Sequence, residues 1–193
     1  MKVKLDKSAA LIVVDVQKDF CSGGALAVPH GDDVVPILNL YIEKFKAVGS
    51  PIFVTRDWHP KDHVSFRSRG GQWPEHCIQD AEGAKFHPDL RLPYNVRVVS
   101  KGTNSTREAY SGFEGTSLED ELRSLGISRL FVGGLATDYC VKNTVLDGLK
   151  RGFEVFLLED AVRGVDLRKG DSEKAIEEMV SRGAKRVKTS DIT

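Results

Sequence analysis

Short β-branched apolar runs alternate with amphipathic stretches along most of the chain. AALIVV, from Ala9 to Val14, is unbroken and apolar, as expected of a strand buried on both faces. From Asp33 to Val48, Val34, Ile37, Leu38, Tyr41, Ile42 and Phe45 recur at helical spacing, and Gly49 is placed to end that helix. Pro51 to Thr55, Val96 to Ser100, Arg129 to Val132, Glu154 to Leu158 and Lys185 to Lys188 predict further strands. Helices are predicted over Ser117 to Leu125, Asp138 to Lys150 and Asp171 to Arg182. The alternation predicts an α/β fold: a three-layer α/β/α sandwich around a six-stranded, mainly parallel, Rossmann-like sheet. No linker, repeat or low-complexity tract divides it, so residues 1–193 are expected to form a single domain. One stretch breaks the rhythm. Trp58 to Pro93 shows neither period, yet it holds His59, His63, His76, His87, both tryptophans and Cys77. A loop of that length in a compact domain is functional or disordered, and its aromatic content argues against disorder.

Composition narrows the function classes. With 193 residues, 40% hydrophobic, and Lys plus Arg (28) balancing Asp plus Glu (28), the chain has a core and no net field to draw nucleic acid or an anionic membrane. Nothing approaches the ~18 unbroken apolar residues of a membrane span. Three widely spaced cysteines, Cys21, Cys77 and Cys140, do not make a disulfide framework, which points to a reducing, cytoplasmic setting.

In open parallel sheets, ligands bind beyond the carboxyl ends of the strands, where the strand order reverses. The first predicted strand ends at Asp15 and the second leads to Asp57. The third runs into Lys101, and the fourth passes Gly133-Gly134 on its way to Cys140. Singly, each is better explained as a solvated loop residue or a cap. Together they would put two carboxylates, an ammonium and a thiol on one rim. With Thr137 as N-cap, Cys140 falls in the first turn of a helix, where free amides and the dipole favour a thiolate, and a nearby Lys101 would lower its pKa further. Cys21, in a Gly-rich loop, and Cys77, beside a histidine, lack such a setting and read as structural.

The segment RDWHPKDHVSFRSRGGQWPEHC offers a second constellation. Asp57 and His59 are two apart and point the same way on an extended backbone, with His63 and His76 following. One carboxylate and three imidazoles suit a divalent transition ion such as zinc, iron or manganese. Asp62 competes with Asp57, Cys77 with the neighbouring His76, and a histidine-rich surface loop is the alternative to a metal site. There is no G-x-G-x-x-G after the first strand, no Walker loop and no G-x-S-x-G elbow, which disfavours nucleotide binding and serine hydrolysis of those types.

Taken in order and spacing, DVQKDFCSGGAL, TRDWHPKDHVSF, WPEHC, KGTNSTREAYSGFEGT and GGLATDYCV resemble the nicotinamidase branch of the isochorismatase-like cysteine hydrolases, over nearly the whole chain. The resemblance implies hydrolysis of nicotinamide to nicotinate and ammonia in NAD salvage, with pyrazinamide as a common second substrate. It places the catalytic triad on Asp15, Lys101 and Cys140, and the metal ligands on Asp57, His59, His63 and His76. Zinc is the first choice of ion, ahead of iron and manganese. The oxyanion hole falls on the amides of Ala136 and Cys140, with a cis peptide between Leu135 and Ala136. The substrate slot falls on Phe20, Leu26, Trp73, Tyr110 and Tyr139. In the implied mechanism Cys140 attacks the amide carbon, Asp15 relays the proton, Lys101 keeps both ionised, and the ion anchors the pyridine nitrogen. Two departures stand out: Tyr139 replaces a histidine found in some relatives, and the Lys101–Tyr110 segment varies in length among them. Metal-free relatives that act on isochorismate or carbamoyl substrates lack the aspartate–histidine set. A different small-amide hydrolase and a non-catalytic metal-binding domain are the competing readings, and a homo-oligomer is compatible with either.

Overall fold

The computed structural model describes residues 2–193. Its strands are β1 (Ala9–Val14), β2 (Ile52–Asp57), β3 (Arg97–Lys101), β4 (Arg129–Leu135), β5 (Glu154–Arg163) and β6 (Lys185–Val187). Its α-helices are α1 (Val34–Ala47), α2 (Leu118–Ser124), α3 (Lys142–Lys150) and α4 (Asp171–Ser181). The six strands form one sheet in the order β3-β2-β1-β4-β5-β6, and every pairing is parallel. All six residues of β1 are buried, so it runs through the middle, whereas Arg97 and Val98 of β3 are exposed on an edge. Successive residues alternate between faces. Leu11, Val13, Val54 and Phe131 pack toward α1, while Ala10, Ile12, Val14, Phe53 and Val132 pack with residues of α2, α3 and α4. That division gives the three layers.

The chain winds outward from β1 through β2 to β3, then returns to the other side of β1 as β4. The order therefore reverses between β1 and β4, and the carboxyl ends of these two strands open the crevice where such folds bind ligands. Gly134 makes this junction close. It pairs with Val14 at φ +124, and a Cβ there would run into the Val14 backbone. The peptide between Leu135 and Ala136 is cis.

The three largest departures from the expected boundaries have physical causes. β4 continues past the double glycine to Leu135 because Gly133 and Gly134 keep pairing with Val13 and Val14. β5 runs on to Arg163 through Glu159 and Asp160, whose carboxylates are absorbed by partners: Tyr41 and Thr189 donate to Asp160, and Arg186 pairs with Glu159. The helix expected from Asp138 splits into a π-turn over Thr137–Val141 followed by α3. The long segment after β2 is ordered without regular elements. Its backbone closes on itself through bridges between His59 and Ile78 and between Phe66 and Trp73.

Candidate active site

Asp15 follows β1 in the left-handed region at φ +48, where Gln17 N donates to its carbonyl at 2.8 Å. A non-glycine residue there costs on the order of 1–3 kcal/mol and persists because its surroundings hold it. Thr55 Oγ1, from β2, donates to Asp15 Oδ1 at 2.6 Å. Asp57 and Lys101 are register partners at the ends of β2 and β3, so their side chains emerge on one face. Lys101 Nζ lies 2.8 Å from Asp15 Oδ2 and donates to Asp57 Oδ1, to Ala109 O at 3.2 Å and to Cys140 Sγ at 3.3 Å. An ammonium has three hydrogens. With those on Asp57, Ala109 and Cys140, the contact to Asp15 is ionic, and Asp15 Oδ2 has no aligned donor. Cys140 Sγ and one oxygen each of Asp15 and Asp57 lie within 4.8 Å of one another. Asp15 is 0%, Lys101 1% and Cys140 6% exposed, so these groups interact away from bulk water.

Their surroundings drive the two carboxyls apart. Burial pushes Asp15 up, and the Lys101 ammonium offsets this only in part. Burial also opposes ionisation of Asp57, but Lys101 and His59 outweigh it and hold that carboxyl below its usual range. Lys101, despite the burial that disfavours its charge, is held well above the ordinary lysine value by Asp15 and Asp57. Burial pushes the Cys140 thiol well up; Lys101 pulls it down, and Asp15 and Asp57 raise it further. This field opposes the resting thiolate expected from the sequence. Thr137 is not an N-cap either: Val141 N donates to Ala136 O across the π-turn, and α3 begins only at Lys142. The Cys140 sulfur faces an Asp15 oxygen that has no other aligned donor, so its proton has an acceptor at hand.

Asp57 also faces the histidines. Asp57 Oδ2 is 3.4 Å from His59 Nε2 and 3.8 Å from His76 Nε2, and these donor atoms form a buried group within 4.8 Å. His59 Nδ1 bonds Gly102 O at 2.9 Å and His76 Nδ1 bonds Pro74 O at 2.7 Å. A carbonyl partner fixes the proton on Nδ1 and turns the Nε2 lone pair inward, which is how histidine ligands are oriented. Lys101 alone also leaves one excess negative charge between Asp15 and Asp57. Donor chemistry and charge both fit a divalent ion. His63 is not brought into this group. It stacks on His59 with ring centroids 4.0 Å apart, but its Nε2 lies 3.0 Å from Arg107 O and its Nδ1 receives Ser65 N at 3.3 Å. Cys77 and Asp62, the alternative donors, also lie outside it.

A slot descends to Cys140 between Phe20, Leu26, Trp73, Tyr110 and Tyr139, with Asp57 and His76 on its wall. The aromatic rings hold one another: Trp73 packs edge-on against Tyr139 at 5.0 Å, and its Nε1 donates to Tyr110 Oη at 3.1 Å. Ala136 reaches the slot as well. A wider hollow beside Pro51, Tyr94 and Leu125 contains none of these groups.

Several supporting residues were invisible as such in the sequence. Gln17 is fully buried; its amide accepts from Asp57 N and donates to Asp57 O, each at 2.8 Å, and so sets the end of β2. Asp19 accepts from Cys77 N at 2.7 Å and fixes the turn carrying His76. Gly102, at φ +62, lies so close to the His59 ring that a Cβ would meet Nδ1 at 2.7 Å. Glu108 lines the slot, and Asp138 accepts from Val165 N and Asp166 N, tying the β5–α4 loop to the nucleophile's turn. Gln17 and Asp19 fall inside the DVQKDF motif, the one signal that could have marked them.

Comparison with known proteins settles the lineage. The family model for the isochorismatase domain matches residues 9–191. The chain belongs to the isochorismatase family. Among its isochorismatase-family relatives, the nicotinamidase of Escherichia coli (strain K12) is 43% identical over 196 residues, covering 91% of this chain and 92% of that protein. A crystal structure of the pyrazinamidase of Pyrococcus horikoshii in complex with zinc superposes with a TM-score of 0.90 at 54% identity, covering 94% of this chain and 99% of the other. A structure from L. infantum in complex with nicotinate superposes at 0.92 with 33% identity, covering 100% and 99%. The six-stranded parallel α/β/α architecture is common to them. No helix among the described residues is long and apolar enough to cross a membrane.

Proposed function

We propose that this protein is a metal-dependent nicotinamidase that also accepts pyrazinamide and works through a thioester on Cys140. One observation carries the reading: the Cys140 sulfur, with Lys101 at 3.3 Å and an unmatched Asp15 oxygen within reach, sits at the floor of an aromatic slot walled by Asp57 and His76. The relatives named nicotinamidase and pyrazinamidase support the choice of amide.

The flat pyridine ring enters between Trp73, Tyr110, Tyr139, Phe20 and Leu26, and its carboxamide carbon meets Cys140 Sγ. As the S–C bond forms, the thiol proton passes to Asp15 Oδ2 and the carbonyl electrons move onto oxygen. The amides of Ala136 and Cys140 hold that oxyanion, a role worth about 2.7–4 kcal/mol per donor in well-studied hydrolases. Lys101 steadies the charge on sulfur. Asp15 then returns its proton to the amide nitrogen, the C–N bond breaks, and ammonia leaves behind a thioester. Water attacks the thioester with Asp15 taking one of its protons, the C–S bond breaks, that proton goes back to sulfur, and nicotinic acid departs, releasing its remaining proton to solvent to become nicotinate. Two carboxyls driven to opposite protonation preferences suit these roles, Asp15 cycling a proton while Asp57 stays ionised.

Asp57, His59 and His76 would hold the ion, for which we favour zinc; His63 would join only by leaving Arg107 O. When bound, the ion supplies a Lewis-acidic centre for the pyridine nitrogen. Three free thiols suit a reducing cytoplasm. The test is ammonia release from nicotinamide by metal-loaded protein, before and after chelation. Turnover with a KM that rises on chelation more than kcat falls supports the assignment. No ammonia from the loaded protein overturns the substrate, and an unchanged KM overturns the anchoring role.

A further inference from the structure

Outside the slot, three loops converge on another set of donors. Cys21 follows the 3-10 turn Lys18–Phe20, Asp32 belongs to the turn Gly31–Asp33, and His87 comes from the long segment after β2. One donor atom from each lies within 4.8 Å of the others, and none of the three belongs to the Asp57–His59–His76 group. All three line a solvent-open hollow together with Ser22 and Gly83. We propose that Cys21, Asp32 and His87 form a second cation site, one that takes a late divalent transition ion such as zinc or cobalt and clamps these loops together.

The geometry is close to what such an ion needs. His87 Nε2 and Asp32 Oδ1 are 3.2 Å apart, near the ~3.3 Å edge of a tetrahedron built on bonds of about 2.0–2.1 Å. Asp32 is already oriented: Ser22 N and Oγ both donate to Oδ2, at 2.8 and 2.6 Å, which leaves Oδ1 turned to His87. That supporting pair is what a metal-binding carboxylate requires. Sulfur and imidazole donors select a late transition ion over magnesium or calcium. In the free protein Asp89 N donates to His87 Nδ1 at 3.2 Å, so the ring proton sits on Nε2 and bridges to Asp32. On binding, the cation takes that place, the ring proton moves to Nδ1, the Asp89 N–H gives up its bond to that nitrogen, and Cys21 releases its thiol proton to solvent. A dication then meets one thiolate and one carboxylate, and the site is neutral. Burial and the Asp32 carboxylate push the Cys21 thiol up to about 12, so this sulfur has little thiolate character at neutral pH until a cation displaces its proton.

The proposal is independent of the catalytic reading, and its test uses no activity. Cobalt(II) is titrated into metal-free full-length Cys140→Ala protein, so that the catalytic sulfur contributes nothing, and the near-ultraviolet sulfur-to-cobalt charge-transfer band is recorded with the bound equivalents. The expected result is a band that grows with a second equivalent of cobalt, disappears with Cys21→Ser and is lost or strongly weakened with His87→Gln, each variant binding one equivalent fewer. No band in the Cys140→Ala protein overturns the proposal. So does a band that survives Cys21→Ser, or a stoichiometry that His87→Gln leaves unchanged. His87 is partly exposed at a loop, so the His87→Gln arm remains decisive if Cys21→Ser impairs folding.

Discussion

The two halves of the site are built in different ways. Asp15, Lys101 and Cys140 hang from the ends of β1, β3 and β4, and the parallel register of buried strands delivers them to one point. His59 and His76 lie on a segment without regular structure, fixed by Gly102 O, Pro74 O, Asp19 and Gln17. The sheet half is held by the hydrophobic core, so its vulnerability is electrostatic: one ammonium between two buried carboxylates. The loop half is held by individual hydrogen bonds and one close glycine, so its vulnerability is local geometry. Reactive groups on strand ends are costly to remove, whereas ion-holding groups on a braced loop are easily detuned.

Perturbing each half in turn sharpens this contrast. The largest effect is expected for Cys140→Ala, which should lower kcat for nicotinamide by about 10⁴-fold or more, as for other covalent nucleophiles, while the circular dichroism melt stays within a few degrees. Lys101→Met should follow. With the ammonium gone, buried Asp15 is left without a cation and faces the Asp57 carboxylate, and denaturant unfolding should report a loss of about 3–5 kcal/mol. If that variant is as stable as the parent, the electrostatic account of the sheet half is wrong.

The sign of the Cys140 shift gives a third check. An acid whose pKa is raised holds its proton longer, so the rate of iodoacetamide labelling of Cys140 in metal-free protein should climb about tenfold per pH unit from about pH 7 to 9 without a plateau. A plateau near neutral pH would show a stabilised thiolate instead. In the loop half, Gly102→Ala should press on the His59 ring and weaken metal affinity by about 10–100-fold, the usual cost of disturbing a ligand's support. Competition with a chromophoric chelator measures it, and the fold should be little affected. The smallest change is expected for Tyr139→Phe. Its ring packs against Trp73 and Tyr110, so keeping the ring and losing the hydroxyl should alter kcat/KM by less than about threefold, under about 0.7 kcal/mol of transition-state binding.

Most of the strands, and all of α1, α2 and α4, are legible from apolar periodicity because burial imposes that periodicity directly. β1 is found to the residue, since an unbroken apolar run fits only a strand covered on both faces. The ends of β4 and β5 are not, because glycines and carboxylates that would end an isolated strand are tolerated once Val14, Tyr41, Thr189 and Arg186 satisfy them. In the site, Asp15, Lys101 and Cys140 stand out by their places after strands. The turning of His63 Nε2 away from the Asp57–His59–His76 group does not, because it depends on Arg107 O arriving from a distant segment.

By itself, the order of residues determined the layers, the strand ends that carry chemistry, and the family to which the motifs belong, because these follow from local spacing and from which side chains must leave water. Only the folded arrangement decided the field around Cys140, the membership of the histidine group and the meeting of Cys21 with Asp32 and His87. Those depend on electric fields and contacts between segments remote in the chain, which fall off within a few ångströms and leave no periodic trace along it.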